Sequence, residues 1–187
     1  DCQSLAAHAV SIGADAISSV AGFYYKPGSE LLLAKRMAAI ASAAPSLPFY
    51  YYHIPVLTGV NFPMIALLEE LDERLPNFAG IKYTHEDFMD FQSCLHFKEG
   101  KYDMLWGRDE NMLPALALGT KGAVGSTYNY AAPLYHQLMK AFKDNDLATA
   151  GKLQQQSIDM IRLLGKYGGI STGKAFMTAV GMDCGGF

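Results

Sequence analysis

One lysine lies inside a short apolar stretch, residues 78–83, that predicts a buried β-strand. Side chains along a strand alternate between two faces, so Ile81 and Tyr83 share one face while Lys82 and Thr84 share the other. Apolar surroundings disfavour an ammonium ion, and the neutral amine is the form that attacks a carbonyl carbon to make a Schiff base. The simpler alternative is that Lys82 ends its strand and extends its charged group into water.

A tyrosine-rich strand, predicted over residues 49–54 and ended by a proline, precedes the lysine strand in the chain. Tyr52 lies near its carboxyl end, where a phenol can pass a proton to or from an adduct on a neighbouring lysine. The alternative is that the tyrosines, as strand-forming residues, only pack between layers. We expect that packing role for Tyr50 and Tyr51, and we expect His53 to be a buried, hydrogen-bonded histidine rather than a ligand.

Two further polar segments follow predicted strands. The first contains Gly107, Asp109 and Glu110. Its carboxylates can accept hydrogen bonds from the hydroxyls of a sugar, or they can serve only as favourable charges at a helix N-terminus. The second segment is Gly125-Ser126-Thr127, in which the glycine lets the backbone approach a ligand closely and Ser126 supplies a hydrogen-bond donor.

Predicted strands and helices alternate along the chain. Strands are expected near residues 15–20, 49–54, 78–84, 102–106 and 122–127. Helices are expected near residues 1–12, 29–43, 62–74, 86–97, 111–118, 132–143, 146–166 and 172–180. This alternation favours a parallel sheet with right-handed crossovers, in which the polar residues after the strands collect at one edge. The chain therefore predicts an α/β fold, either an open doubly wound sheet or part of a (β/α)8 barrel.

The composition argues against several classes of partner and cofactor. The 187 residues carry a net charge of −3 and no basic run, so neither nucleic acid nor an anionic membrane is an expected partner. No apolar run is long enough to span a membrane, and no glycine-rich nucleotide-binding motif follows a strand. The run His85-Glu86-Asp87 is interpreted as helix capping rather than as a metal site. The three widely spaced cysteines fit a reducing, cytoplasmic compartment.

Four motifs together resemble the N-acetylneuraminate lyases, a family of class I aldolases related to dihydrodipicolinate synthase. They are Tyr-His-Ile-Pro at 52–55, Gly-Ile-Lys-Tyr-Thr at 80–84, Gly-Arg-Asp-Glu at 107–110 and Gly-Ser-Thr-Tyr-Asn at 125–129. Their order and spacing are similar to those of animal-type members over nearly all of the chain. The resemblance implies a (β/α)8 barrel with extra C-terminal helices, usually a homotetramer. It also implies cleavage of N-acetylneuraminate to N-acetylmannosamine and pyruvate, without metal or cofactor.

The resemblance implies roles for individual residues. Lys82 matches the Schiff-base lysine of the family, and Tyr52 matches its proton-relay tyrosine. Five residues match positions that hold the sugar part of the substrate: Thr84, Gly107, Asp109, Glu110 and Ser126. Either Tyr24 or Tyr25 matches an aromatic residue that approaches the site of a neighbouring subunit.

Two positions bear on specificity within this group of aldolases. Dihydrodipicolinate synthases carry an arginine shortly after the proline of the tyrosine motif. Pro55 is followed here by Val-Leu-Thr-Gly, which favours the lyase over another pyruvate-dependent aldolase of the group. Arg108 occupies a position that is more often uncharged in the family, and we expect it to alter substrate affinity.

The sequence begins at Asp1 within a predicted helix and contains five predicted strands, whereas a whole barrel has eight. We therefore expect residues 1–130 to form a partial barrel, strands four to eight of the family fold. Residues 131–187 would then form the last barrel helix and the C-terminal helical extension. A turn that holds the substrate carboxylate would precede residue 1. The alternative to an active aldolase is therefore an inactive truncated isoform that only associates with longer subunits.

Overall fold

The computed structural model describes residues 1–186, in two compact units, Asp1–Leu105 and the chain from Trp106 onward. The first unit contains α1 (Cys2–Ser11), β1 (Ile17–Val20), α2 (Glu30–Ala41), β2 (Phe49–His53), α3 (Pro55–Thr58), α4 (Met64–Arg74), β3 (Phe78–Tyr83), α5 (Phe88–His96) and most of β4 (Asp103–Trp106). The second contains α6 (Met112–Leu118), β5 (Gly122–Ala123), α7 (Tyr128–Lys143), α8 (Leu147–Lys166) and α9 (Ile170–Ala179). Short 3-10 turns cover Phe97–Glu99 and Asp109–Asn111.

The strands follow one another in the sheet in chain order, from β1 to β5. The β1–β2 and β2–β3 pairs are parallel, and their registers place Val20 beside Tyr52 and Tyr52 beside Lys82. Helices connect the consecutive strands, as parallel pairing requires. The α/β fold with sequential parallel strands, predicted from the alternation of elements, is confirmed. The predicted division near residue 130 stays a prediction.

The two faces of β2 differ in burial. Phe49, Tyr51 and His53 are buried, whereas Tyr50 and Tyr52 on the other face are half-buried. This alternation is the period-two pattern expected of a strand with one fully covered face. The packing role predicted for Tyr51 is confirmed, because its side chain is fully buried. The face that carries Tyr52 is the less covered of the two.

Helix starts in the first unit follow local sequence signals. Ser29 caps α2 by accepting the Leu32 backbone N–H at 3.2 Å. Asp87 caps α5 by accepting the Asp90 N–H at 3.0 Å, which confirms the capping interpretation of that segment. A proline ends β2 as expected, and it also opens the one-turn helix α3 that the sequence did not predict.

The fifth strand is much shorter than predicted. The sequence predicts a strand over residues 122–127, but β5 ends at Ala123, and α7 begins at Tyr128 rather than near residue 132. The physical reason lies in the intervening turn, where the Thr127 N–H is bonded to Asp109 Oδ2 at 3.0 Å. Because its N–H is bonded to the Asp109 side chain, Thr127 does not pair with a neighbouring strand, and α7 starts at the next residue. Helix α7 is then kinked at Ala131, two residues before a proline within it.

Each unit has its own apolar core. In the first unit, α2 packs on α4 and α4 packs on α5, and the shared core includes Leu33, Met37, Leu67, Leu71 and Phe91, all nearly or completely buried. In the second unit, α7 packs on α8 around Leu138 and Ala150. Among residues 1–186, no helix has both the length and the hydropathy needed to cross a bilayer.

Candidate functional site

Lys82 and Tyr52 are direct neighbours on adjacent strands. They are register partners in the β2–β3 pair, and Lys82 Nζ lies 3.9 Å from the centre of the Tyr52 ring. Both side chains are half-buried on the less covered face of the sheet. The sequence-based expectation that the lysine and the tyrosine lie together therefore has a geometric basis: parallel register places an amine against a phenol ring.

Gly80, two residues before Lys82 in β3, allows β3 and β4 to approach closely. A Cβ atom built on Gly80 would overlap the carbonyl oxygen of Asp103 in β4, so a side chain at this position would push the two strands apart. On the same face of β2, the Tyr50 hydroxyl donates to Asp103 Oδ2 at 3.2 Å. Burial and the neighbouring Asp103 charge both raise the pKa of Tyr50. Tyr50 thus has a defined polar partner in addition to its packing role.

Thr84 follows the lysine strand and presents an unbonded hydroxyl. Its backbone N–H donates to the His53 carbonyl at 2.8 Å, which continues the parallel pairing by one residue. Its Oγ1 is buried and has no hydrogen-bond partner within residues 1–186. A buried hydroxyl without a partner is costly to folding, so it is a candidate contact for a ligand.

His53 is buried as predicted, but the expectation that it is hydrogen-bonded was wrong. Neither ring nitrogen has a hydrogen-bond partner in the part of the chain that the structure describes. Its ring packs 5.0 Å from the Tyr83 ring and 5.6 Å from the His85 ring, between centroids. Burial, and secondarily His85, lowers the pKa of His53 to about 3, so the imidazole is neutral at physiological pH.

Asp90 is a site-supporting residue that sequence reasoning missed. It is 7% exposed, and its carboxylate accepts the backbone N–H groups of Met64 and Ile65, at 2.8 and 3.1 Å. Asp90 Oδ2 also accepts the Tyr83 hydroxyl at 2.9 Å. The Asp90 carboxylate, from α5, therefore caps the N-terminus of α4. It also bonds Tyr83, the last residue of the strand that carries Lys82. The signal in the sequence was the lack of a capping side chain before α4, where the N-cap is a proline.

Asp109 is the buried carboxylate of the second unit. It is 5% exposed, and its Oδ2 accepts the Thr127 N–H and the Thr127 hydroxyl, at 3.0 and 2.6 Å. Its Oδ1 is buried and lacks a well-formed hydrogen bond within residues 1–186. Burial first, and then the Asp109 charge, raises the pKa of the Tyr128 phenol. A Cβ atom on Gly125 would overlap Asp109 Oδ1, so this position requires glycine.

The remaining predicted residues of the second unit are more accessible. Glu110 is half-buried and forms an ion pair with Arg108, with Oε1 and Nε 3.2 Å apart. Arg108, the residue noted as a departure from the family, thus offsets part of the negative charge of Glu110, whose carboxylate was predicted to bind the substrate. Gly107 is half-buried beside it, and Ser126 is exposed one residue before Thr127.

The structure therefore assembles the predicted residues as two local groups. Within the first unit it brings together Lys82 and Tyr52, with Thr84 following on the same strand end. Within the second unit the 107–110 segment and the 125–127 turn contact each other through Asp109. In the described residues, no group of three or more His, Cys, Asp or Glu side chains is placed to hold a metal ion.

A sequence model of the Dihydrodipicolinate synthetase family matches residues 1–186. The chain belongs to the dihydrodipicolinate synthetase family. The chain is similar to the N-acetylneuraminate lyase of Rattus norvegicus, with 42% identity over 182 residues, which are 96% of this chain and 57% of the rat protein. The N-acetylneuraminate lyase of Xenopus tropicalis is 49% identical over 155 residues, which are 82% of this chain and 50% of the frog protein.

A solved structure of this family has the same fold. The N-acetylneuraminate lyase of Proteus mirabilis superimposes with a TM-score of 0.95 and is 37% identical, over 99% of this chain and 62% of that protein. The structural agreement covers the strand that carries Lys82 and the segments around Asp109, because nearly the whole chain is included. The chain spans 50–62% of the length of these three relatives.

Proposed function

We propose that this chain belongs to a class I aldolase that cleaves N-acetylneuraminate to N-acetylmannosamine and pyruvate. The observation that carries the proposal is the Lys82–Tyr52 pair, with Nζ 3.9 Å from the ring centre on the less covered face of the sheet. An amine and a phenol side by side are the two groups that imine-based carbon–carbon cleavage needs. The lyases of rat and frog named above support the choice of substrate.

In the proposed reaction, Lys82 Nζ attacks the C2 ketone of the open-chain sugar acid, and loss of water gives an iminium ion. Tyr52 relays the proton of the C4 hydroxyl while the C3–C4 bond breaks, and the bonding electrons move into the iminium. C4 becomes the aldehyde carbon of N-acetylmannosamine. The enamine that remains on the lysine takes up the relayed proton at C3, and water then releases pyruvate and the free amine. The scheme needs no metal and no cofactor.

We assign the sugar end of the substrate to hydroxyl and carboxylate groups. The unbonded Thr84 hydroxyl and the accessible carboxylate of Glu110 support this assignment, as does the exposed Ser126. Gly107 is proposed to let the backbone approach the sugar closely. Asp109 is proposed to contact the substrate through its Oδ1, since Oδ2 is already bonded to Thr127.

Another pyruvate-dependent aldolase of the same family is the second candidate. One observation supports it, because the family model that matches the chain is that of dihydrodipicolinate synthetase. The lack of an arginine shortly after Pro55 favours the lyase. Both candidate enzymes form an imine between the lysine and pyruvate, so trapping that imine tests the class of reaction. Cleavage of N-acetylneuraminate then distinguishes the lyase from the other aldolase.

We further propose a cytoplasmic homotetramer. Phe23, Tyr24 and Tyr25 are 70%, 80% and 78% exposed, and so many exposed aromatic rings in sequence support a contact with a neighbouring subunit. Three unpaired cysteines, Cys2, Cys94 and Cys184, support a reducing compartment. Analytical ultracentrifugation of the full-length protein and of its Tyr24→Ser, Tyr25→Ser variant tests the assembly. An unchanged mass for the variant would contradict the role of the loop.

The imine is tested by trapping. Full-length protein is treated with pyruvate and borohydride, and the modified lysine is located by peptide mass spectrometry. We expect a stable adduct on Lys82 and none on the exposed Lys121, which serves as the internal control. The variant Lys82→Arg keeps a long basic side chain but should form no adduct and should not release pyruvate from N-acetylneuraminate.

Each result has a defined reading. An adduct on Lys121, or on no lysine, would refute the aldolase assignment. An adduct on Lys82 without cleavage of N-acetylneuraminate would instead favour the second candidate aldolase. An adduct on the full-length protein but none on the folded 187-residue chain would point to the inactive truncated isoform.

A further inference from the structure

Asp109 is held by buried hydroxyl groups to which neither the sequence motifs nor the proposed function gives a role. The Tyr135 hydroxyl lies 2.6 Å from Thr127 Oγ1 and 2.8 Å from Ser157 Oγ. Thr127, Tyr135 and Ser157 are 1%, 2% and 0% exposed, so water cannot replace any of these bonds. We call these three residues the hydroxyl network. It connects Asp109 through α7 to α8.

The charge of Asp109 sets the direction of the hydrogen bonds. A carboxylate can only accept, so the single hydroxyl proton of Thr127 points to Asp109 Oδ2, 2.6 Å away. Thr127 Oγ1 therefore accepts from Tyr135, and the Tyr135 oxygen in turn accepts from Ser157. Burial raises the pKa of Tyr135, so the phenol keeps the proton that it must donate. A one-directional chain of this kind strengthens each of its bonds.

The backbone of Asp109 is fixed by the same helix. Its carbonyl oxygen accepts from Gln154 Nε2 at 3.3 Å. Ser157 Oγ also lies 3.3 Å from this carbonyl, so the single Ser157 proton is shared between it and the nearer Tyr135 oxygen. Gln154 Oε1 accepts the Leu113 N–H at 2.8 Å at the start of α6. Helix α8 therefore contacts both the main chain and, through the network, the side chain of Asp109. Neither can shift without breaking buried hydrogen bonds.

We propose that the hydroxyl network positions Asp109 and the 125–127 turn for the polyhydroxylated half of the substrate. Thr127, Tyr135 and Ser157 are then positioning residues that determine sugar binding and leave imine formation at Lys82 unchanged. The inference rests on the proposed lyase function and extends it to Tyr135 and Ser157, which lie outside the family motifs, and to Thr127, a motif residue with no role in the proposed function. Its physical basis is that the turn carrying Ser126 is bonded to Asp109 twice through Thr127, while the network orients that threonine hydroxyl.

The test compares sugar cleavage with pyruvate trapping in the full-length protein. Thr127→Val removes the hydroxyl and keeps the shape of the side chain. We expect kcat/KM for N-acetylneuraminate to fall about tenfold, chiefly through KM, because a buried hydrogen bond to a charged group is lost. The rate of imine trapping with pyruvate alone should stay within about twofold of the wild type. Thr127→Ser keeps the hydroxyl and should restore most of the sugar cleavage.

Two further variants make the test decisive. Ser157→Ala is milder and should show the same split with about a threefold effect, so it decides the result if Thr127→Val does not fold. Tyr102→Phe is the matched control. It also removes a hydroxyl from a buried tyrosine bonded to an aspartate, Asp72, but this pair belongs to α4 and the segment before β4. We expect Tyr102→Phe to change neither reaction.

The outcomes distinguish a failure of the hydroxyl-network inference from a failure of the proposed lyase function. Equal losses of sugar cleavage and pyruvate trapping in Thr127→Val would overturn the inference, as would a Thr127→Ser variant no better than Thr127→Val. Either result leaves the proposed lyase function intact. A wild-type full-length protein that does not cleave N-acetylneuraminate would refute the proposed function, and the inference with it.

Discussion

Asp90 offers a sharp test of how the Lys82 strand is held in place. Its two carboxylate oxygens receive three donors, because Oδ1 accepts from Ile65 N–H and Oδ2 accepts from Met64 N–H and the Tyr83 hydroxyl. The variant Asp90→Asn keeps the shape of the side chain but replaces one acceptor oxygen by an NH2 donor. In either orientation of the amide, that NH2 group faces a backbone N–H group of α4.

The cost of the change can be worked out from these contacts. The better orientation places the NH2 group at the Oδ1 position, so that Met64 and Tyr83 keep their acceptor and only Ile65 N–H loses its partner. A buried donor left unsatisfied costs about 1–3 kcal/mol. The two bonds that remain also lose their charge assistance, which adds roughly 1 kcal/mol. We therefore expect Asp90→Asn to lower the free energy of unfolding by about 2–4 kcal/mol.

The matched control lies three residues earlier. Asp87 is exposed, and its side-chain carboxylate accepts a single N–H, from Asp90, as the N-cap of α5. Asn is as good an N-cap as Asp, so Asp87→Asn should change the free energy of unfolding by less than about 0.5 kcal/mol. Urea unfolding of the full-length protein, followed by circular dichroism, measures both variants. If the two substitutions cost the same, the capping of α4 by Asp90 is not a stabilising interaction and the reasoning fails.

Three more predictions concern His53, Gly125 and Glu110. The unfolded chain protonates His53 near pH 6.5 and the folded protein only near its pKa of about 3, so stability should fall by about 2 kcal/mol from pH 7 to pH 5. Urea unfolding at both pH values should show no such loss in His53→Phe, and equal losses would contradict the assignment. Gly125→Ala should lower the free energy of unfolding by about 1–3 kcal/mol in the same assay. The added Cβ would overlap the Asp109 carboxylate, which its bonds to Thr127 hold in place. Gly151→Ala, with open space around the added carbon, is the control and should not destabilise the protein. Glu110→Gln should weaken N-acetylneuraminate cleavage more than pyruvate trapping, and equal losses would mean that the carboxylate is structural.

The order of elements and the placement of Tyr52 and Lys82 on consecutive strands were predictable from sequence because both depend on local periodicity. Alternating faces placed Lys82 and Thr84 apart from Ile81, and short apolar runs separated by helical patterns indicated parallel strands. The register that sets Tyr52 opposite Lys82 was not predictable in this way. A parallel register depends on the packing of the crossover helix, and a shift of one residue would have turned Tyr52 to the other face.

Local periodicity failed where a long-range contact overrode it. Residues 122–127 form a short, uncharged run, with Ala123 and Val124 at its centre, that predicts a strand. The bond from Thr127 N–H to Asp109 instead ends the strand at Ala123. His53 has the side chain of a hydrogen-bonding residue, yet its ring is enclosed by Tyr83 and His85, which offer its nitrogens no acceptor or donor in the described structure.

The sequence by itself determined the βα order, the identity of the amine and the phenol, and the motifs by which the family is recognised. Only the tertiary structure decided how those groups are supported. Asp90 lies 26 residues from the Met64 N–H that it accepts, and Ser157 lies 48 residues from the Asp109 carbonyl to which it donates. Bonds over such separations form only after the helices have packed, because packing alone excludes water and brings the donors to their acceptors. No pattern of neighbouring residues encodes them.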